Sequence, residues 1–236
     1  MQRDIVITAD GSTTIHLPDW DEQYHSKHGA IQEAYHVFIK HGLHHFCHSE
    51  QSEESHGVNS NIAILEIGFG TGLNAFITLL EAEKLKVNVD YFGVEAYPVL
   101  MEEIIQLNYS KELNVKNEAS LFNNLHEISW EEKHKITPHF SITKQNRFFS
   151  EIKEEDRYNI IYFDAFGARV QPELWTESIF QNMYNALKKN GVLVTYSAKG
   201  SVRRAMETVG FKVERLPGPP GKREMLRAKK YSATPN

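Results

Sequence analysis

Residues Ile62–Asn74 read IAILEIGFGTGLN. Apolar and β-branched residues run into Glu66-Ile67, glycines follow at positions 68, 70 and 72, and a helical pattern starts at about Leu73. A strand that enters a glycine-rich turn and opens a helix is a nucleotide cradle. Glycine lets the backbone approach the ligand, and the free N–H groups of the helix start face it. The spacing narrows the choice of nucleotide. A dinucleotide fingerprint needs its third glycine three residues after the second, and Leu73 stands there. An acid before alternate glycines suits S-adenosylmethionine, whose ammonium and sulfonium are cations and which carries no phosphate. Glu66 can face that cationic end directly or through water. The candidate cofactor contacts on this stretch are Glu66, Gly68, Phe69, Gly70, Thr71, Gly72 and Asn74. The bland alternative is an ordinary strand–turn–helix junction.

A second acid supports the cofactor reading. Val89–Val94 (VDYFGV) has the pattern of a buried strand, and Glu95-Ala96 stands at its carboxyl end, 27 residues after Gly68. In open α/β sheets an acid at the end of the second strand accepts hydrogen bonds from the ribose hydroxyls.

The composition bounds the class. The chain has 236 residues, 41% hydrophobic and 24% charged, which suits a soluble globular protein of one large domain or of one domain with a small appendage. No apolar run reaches the roughly 18 residues of a membrane span, the N-terminus lacks a signal pattern, and the single Cys47 excludes an internal disulfide. A cytoplasmic location is expected. The net charge of −5 is unevenly spread: Lys199 to Lys230 carries ten Lys/Arg against three Glu, a local +7, and the remainder carries −12. A basic tail on an acidic body can hold a polyanion through phosphate contacts, or it can be a solvated helix and edge strand.

Residues 1–60 are expected to form an N-terminal hairpin-and-helix appendage, and 61–236 a Rossmann-like domain. Asp4–Ala9 and Thr13–Leu17 alternate around Asp10-Gly11, a hairpin signal. Ile31–Phe46 has a helical apolar face with Gly42 as an interruption, and Glu50–Ser60 has the composition of a polar loop. Eight of the twelve histidines fall between His25 and His56, and His41, His44, His45 and His48 share a helical face. No nearby acid or cysteine pair completes a site, so no metal is expected. Further on, helices are predicted at Leu73–Lys84, Leu100–Tyr109, Ala119–Trp130, Thr176–Lys189 and Ser201–Val209. Strands are predicted at Phe140–Gln145, Tyr158–Asp164, Val192–Ser197, Phe211–Leu216 and Glu224–Lys229, the last two forming a hairpin across Pro217–Gly221. Alternation of strands and helices ending in that hairpin predicts an α/β, doubly wound class I S-adenosylmethionine methyltransferase sheet.

The exit of the fourth strand reads Asp164-Ala165-Phe166-Gly167. This strand ends beside the cofactor's reactive carbon. Methylation of an amine is an in-line displacement, so the acceptor nitrogen must be neutral with its lone pair aimed. A carboxylate can fix that direction by accepting N–H bonds, and an aromatic ring can wall the pocket. Asp164 and Phe166 supply those groups, with a helix cap and core packing as their bland alternatives.

At this point the residues resemble a known family. ILEIGFGTGLN, GVEAYPV, FDAF with QPELWT, SAKGSVRRAMETVGF, GKREMLRA and the early GAIQEAYHVFI are similar, in order, to the methyltransferase domain of the bacterial MnmC enzymes, whose stand-alone versions are called MnmD. The resemblance runs from about Tyr24 to Ala228. It implies methylation of the aminomethyl group of 5-aminomethyl-2-thiouridine at the tRNA wobble position. It also implies a chain without the family's flavin-dependent oxidase domain, with a separate enzyme supplying the aminomethyl intermediate. The family usually has Asp-Gly-Phe-Ala-Pro where this chain has Asp164-Ala165-Phe166-Gly167-Ala168, and an acid near the adenine where Gln145 or Asn146 stands. An amide can still bond adenine. Lys199, Arg203, Arg204, Lys222 and Arg223 are the candidate contacts to tRNA phosphates. The rival readings are an aminopropyltransferase of the spermidine synthase type, which would need further acids for a polyamine, and a non-catalytic RNA- or partner-binding module.

The glycine spacing makes its own prediction. In calorimetry the protein should bind S-adenosylmethionine and give no heat with NAD or ATP; binding of NAD with equal affinity would remove the cofactor assignment.

Overall fold

The structure, a computed structural model, describes residues 2–52, 61–115 and 119–231. The first strands are β1 (Asp4–Ile7), β2 (Thr13–Leu17) and β3 (Glu22–Gln23), which form a three-stranded antiparallel sheet in the order β1-β2-β3. The remaining strands are β4 (Ile62–Ile67), β5 (Val89–Val94), β6 (Lys133–Thr137), β7 (Phe140–Gln145), β8 (Tyr158–Phe163), β9 (Leu187–Thr195), β10 (Lys212–Pro217) and β11 (Glu224–Lys229). They build one eight-stranded sheet in the order β10-β11-β9-β8-β4-β5-β7-β6. Strands β7, β5, β4, β8 and β9 are parallel, and β10–β11 is the antiparallel hairpin. This is the α/β methyltransferase-type sheet that the sequence predicts. Strand β6, antiparallel to β7 at the edge, has no counterpart among the sequence expectations.

Both faces of the sheet are covered, which is why the parallel strands are continuously apolar. One face carries the helix at 30–52 and the helices Leu73–Leu85 and Ala119–Glu127; the other carries Glu177–Ala186 and Gly200–Thr208. The helix at 30–52 runs through Gly42, passing from α to π geometry between Tyr35 and His44 and back to α over His45–Ser52. Gly42 is a packing position and not an interruption. A Cβ there would lie 3.0 Å from the Tyr162 ring and 3.2 Å from Val194, so a side chain at this position would crowd the helix against β8 and β9. The helix also takes up Glu50–Ser52 of the expected loop, and 53–60 fall outside the described residues.

Two other helix expectations are corrected. Leu100–Tyr109 is not one helix but two single turns, Met101–Ile104 and Tyr109–Glu112. Between them Asn108 accepts from Thr13 N at 2.8 Å and donates to Gly11 O at 2.9 Å, so docking to the N-terminal hairpin takes the backbone out of register. The helix after Thr176 ends at Ala186, and Leu187 is extended and opposite Tyr158 on β8. Asn190, at φ +63, then turns the chain before pairing resumes at Val192.

Strand β5 owes its close approach to the glycine loop to Gly93, where a Cβ would stand 2.5 Å from the Phe69 ring. Gly93→Ala is expected to cost about 1–3 kcal/mol by overpacking, measured by urea unfolding. Undiminished stability would show that the Phe69 ring has room to move.

Candidate active site

The parallel strands β8, β4 and β5 all end at one edge, where the glycine loop, Glu95 and Asp164 converge. The loop is held tightly. Gly68 N and Phe69 N both donate to Val94 O at 3.0 Å. Gly68 has φ +89, and a Cβ there would lie 2.7 Å from the Asp164 carbonyl oxygen, so any side chain would push the loop off the end of β8. Glu95, half-buried, accepts from Gly70 N at 3.1 Å and Tyr97 N at 2.9 Å. These groups open on a cavity of about 1200 Å³.

Beneath the cavity lies a chain of buried polar groups. Glu66 is fully buried and receives Asn74 Nδ2 at 2.9 Å; the same Nδ2 donates to Asp164 Oδ2 at 2.8 Å. Burial, with Asp164 and Glu95 adding to it, raises the proton affinity of Glu66 well above the usual carboxylate range. Burial and the charge of Glu33 push Asp164 up to about 7, against the lowering effects of Asn74 and Lys222. The Oδ1 of Asn74 is buried and has no hydrogen-bond partner among the described residues. An unmet acceptor beside two acids suits a ligand that brings cationic N–H donors, and a bare glycine backbone suits close contact. The residues therefore fit S-adenosylmethionine.

The opposite wall comes largely from the first 33 residues. Phe166 meets Trp20 and Tyr24 edge to face, with centroids 5.6 and 4.9 Å apart, and Tyr24 lies against Gly70. Trp175 Nε1 donates to Phe166 O at 2.8 Å, and Arg169 Nη2 reaches the carbonyls of Trp20 and Asp21 at 2.8 and 2.7 Å. Lys222 pairs with Glu33 and lies 3.9 Å above the ring of Tyr196, whose hydroxyl donates to Ala165 O at 2.8 Å.

Most of the sequence-predicted residues meet at this cavity. Gly68, Phe69, Gly70, Thr71 and Asn74 line it, as do Glu95, Ala96, Asp164 and Phe166. The Phe69 ring itself turns away, into the packing around Gly93 and Trp130. Four of the cofactor candidates do not line it. Glu66 sits below, separated from the cavity by Asn74. Gly72, at φ +71, packs on His126. Gln145 is tied by Arg147 at 2.9 Å, and Asn146 Nδ2 donates to Glu95 O at 2.8 Å, so neither amide is turned to the cavity.

The basic candidates separate. Lys222 points into the cavity and not outward to solvent, because Glu33 is buried there and draws it in. Arg203 is engaged with Glu207 at 3.1 Å one helical turn on. Lys199, Arg204 and Arg223 are exposed and lie outside the cavity. Of the histidines, His44 bonds Glu81 at 2.8 Å; among the described residues no three His, Cys, Asp or Glu side chains converge.

Sequence reasoning missed Trp20, Tyr24, Glu33, Tyr196, Tyr97 and Phe148 at the cavity. Only Glu33 carried a signal: an acid between Ala30, Ala34 and Val37 on the apolar face of a helix needs a partner.

Known proteins resemble this chain over most of its length. A chain from Leptospira borgpetersenii, the tRNA 5-methylaminomethyl-2-thiouridine biosynthesis bifunctional protein MnmC, is 30% identical over 92% of this chain and 33% of its own length. The protein of the same name from Leptospira interrogans is 29% identical over 88% of this chain and 32% of its length. The chain thus spans about a third of the curated relatives it matches. The crystal structure of MNMC2 from Aquifex aeolicus superposes with a TM-score of 0.74 at 25% identity, covering 99% of this chain and 71% of that one. Residues 111–231, half of the chain and the part that carries Asp164, match the profile of a family described as S-adenosyl-L-methionine-dependent methyltransferase, and the chain belongs to that family.

Proposed function

We propose that this protein is the S-adenosylmethionine-dependent N-methyltransferase that converts the aminomethyl group of 5-aminomethyl-2-thiouridine at the tRNA wobble position to methylaminomethyl. A separate enzyme supplies the aminomethyl intermediate. The observation that carries the reading is Asp164: a carboxylate at the cavity wall, close to neutral pH in its proton affinity, beside an aromatic wall. Similarity of nearly the whole chain to proteins named for 5-methylaminomethyl-2-thiouridine biosynthesis supports the substrate class.

When bound, S-adenosylmethionine supplies an electrophilic methyl carbon on a sulfonium. Glu95 would hold the ribose hydroxyls, the loop from Gly68 to Thr71 would lie along the cofactor, and Asn74 would accept from its ammonium through Oδ1. Glu66 acts through Asn74 and keeps the amide oriented. Asp164 accepts an N–H bond from the acceptor amine, directs its lone pair into the cavity and takes up the proton it releases. Phe166, Trp20 and Tyr24 form an apolar wall that excludes water from that side and on which a flipped base can stack. An unpaired anticodon base is cheap to turn outward. Lys199, Arg204 and Arg223 are free to meet phosphates, which position a nucleic acid without reading its sequence.

Mass analysis of tRNA nucleosides after incubation with S-adenosylmethionine tests the reading: the aminomethyl nucleoside should gain one methyl group. The rate should rise as pH increases through about 7, because only the Asp164 anion accepts a proton. Asp164→Asn should remove that rise and lower turnover far more than it lowers cofactor affinity; turnover within a factor of two of the native enzyme would make Asp164 a structural residue. Reversing Arg204 and Arg223 to Glu should raise the Michaelis constant for tRNA and flatten its salt dependence, with turnover at saturation retained. An unchanged Michaelis constant would move the docking surface elsewhere.

A further inference from the structure

Among the charged residues at the cavity that the reaction above does not use are Glu33 and Lys222. We propose that Glu33 and Lys222, brought from opposite ends of the chain to one wall of the cavity, are positioning residues for Asp164: their ion pair sets the charge that the Asp164 carboxylate presents to the acceptor. The inference rests on the proposed function only for the identity of that acceptor.

The geometry is that of a held device and not of a surface pair. Glu33 is buried; its Oε2 accepts from Ser26 N at 2.8 Å and its other oxygen binds the Lys222 ammonium. The ammonium sits 3.9 Å above the Tyr196 ring, and Tyr196 in turn donates to the carbonyl of Ala165, the residue after Asp164. Glu33, Lys222, Tyr196 and Asp164 all line the same cavity. A buried carboxylate is expensive, and among the described residues Lys222 is the cation paired with Glu33, so a pair placed here, 189 residues apart in sequence, needs a reason. Lys222 leaves the β10–β11 turn, where Gly221 packs against His28, so both partners are carried by segments that close over the acceptor side.

The charged and titratable groups that face Asp164 come from every surrounding element. Glu66 and Tyr91 approach from β4 and β5, Glu33 from the helix at 30–52, Tyr196 from the end of β9 and Lys222 from the last turn; His25 feels both Glu33 and Lys222. Within this set Glu33 disfavours the Asp164 anion more than Lys222 favours it. Burial is the largest reason that Asp164 is a base near neutral pH; on top of it the two partners push in opposite directions, Glu33 upward and Lys222 downward. A carboxylate left at an ordinary proton affinity would still bind an amine but would take its proton poorly.

The test reads Asp164 directly. In protein labelled with 13C at the aspartate carboxyls, the Asp164 resonance is assigned by its loss in Asp164→Asn and titrated without any substrate. Glu33→Gln should lower its midpoint by about one pH unit, because a neighbouring anion is removed while the lysine stays. In Glu33→Gln combined with Lys222→Met the midpoint should lie between that of the single variant and the native protein. Lys222→Arg, which keeps the pair, should stay close to native and guards against misfolding as the cause. The acid limb of the methyl-transfer pH profile should follow the same order. A midpoint unmoved by Glu33→Gln, or lower in the double variant than in the single one, would overturn the proposal. Midpoints that move as stated in a protein inactive on tRNA would uphold the proposal and reject the substrate instead.

Discussion

One amide holds the floor of the cavity together. The two hydrogens of Asn74 Nδ2 go to two different carboxylates, Glu66 at the end of β4 and Asp164 at the exit of β8. Two acids brought this close on adjacent parallel strands, away from water, disfavour each other's ionisation. A donor that serves both lets them coexist without a cation. Asn74 can do this because it is the second residue of the helix that opens after Gly72, and the helix start is fixed by the left-handed turns of the loop. Strand ends, glycine loop and helix are thus tied through a single side chain. Its own oxygen is buried and unmatched among the described residues.

A second constraint comes from the N-terminal residues. The N-terminal residues are fastened to the large sheet's carboxyl edge at separated points: Asn108 to the hairpin, Arg169 to the carbonyls of Trp20 and Asp21, and Lys222 to Glu33 on the helix that follows. Between these ties lie the ring contacts of Trp20 and Tyr24 with Phe166. The ties come from three different loops of the large sheet, two after parallel strands and one in the β10–β11 turn, so the wall is held at several points. That rigidity suits a displacement in which a misplaced acceptor is a poor nucleophile.

How much of this was legible in the chain follows from the range of the interactions. Strands β4, β5, β7 and β8, the glycine loop, Glu95 and Asp164 were readable because local patterning sets them: apolar runs, alternate glycines, and acids at strand ends. The helix expected over Leu100–Tyr109 breaks into two turns because Thr13, distant in sequence, captures Asn108. Leu187 was misjudged because its apolar side chain fits a helix face as well as a strand, and only pairing with Tyr158 decides. Gly42 looked like a breaker because the demand for a small residue comes from Tyr162 and Val194 on another layer. At the site, the missed residues Trp20, Tyr24, Glu33 and Tyr196 share one property. Each reaches the cavity through tertiary closure, which no spacing in the sequence encodes.

The basic tail shows the same limit in electrostatic form. Counted along the chain, Lys199 to Lys230 has a surplus of seven positive charges, enough to suggest a broad phosphate-binding face. In space five of the ten cations are engaged: Arg203 with Glu207, Arg215 with Glu224, Arg227 with Glu214, Lys230 with Asp156 and Lys222 with Glu33. Two of those acids lie outside the tail. Lys212 rests over the Tyr231 ring, and Lys229 is half-buried with its proton affinity lowered by burial. Lys199, Arg204 and Arg223 remain most open to a polyanion. A surface with so few unengaged cations releases few counterions, so its electrostatic hold is weak at physiological salt and cannot by itself position a substrate. On the proposed reading, recognition then rests on the shape of the cavity and its aromatic wall, with the phosphates serving for orientation. Inside the cavity Glu33 is matched by Lys222, and Glu66, below it, is held toward its protonated form, which leaves Asp164 as the carboxylate that meets the aminomethyl group beside the aromatic wall.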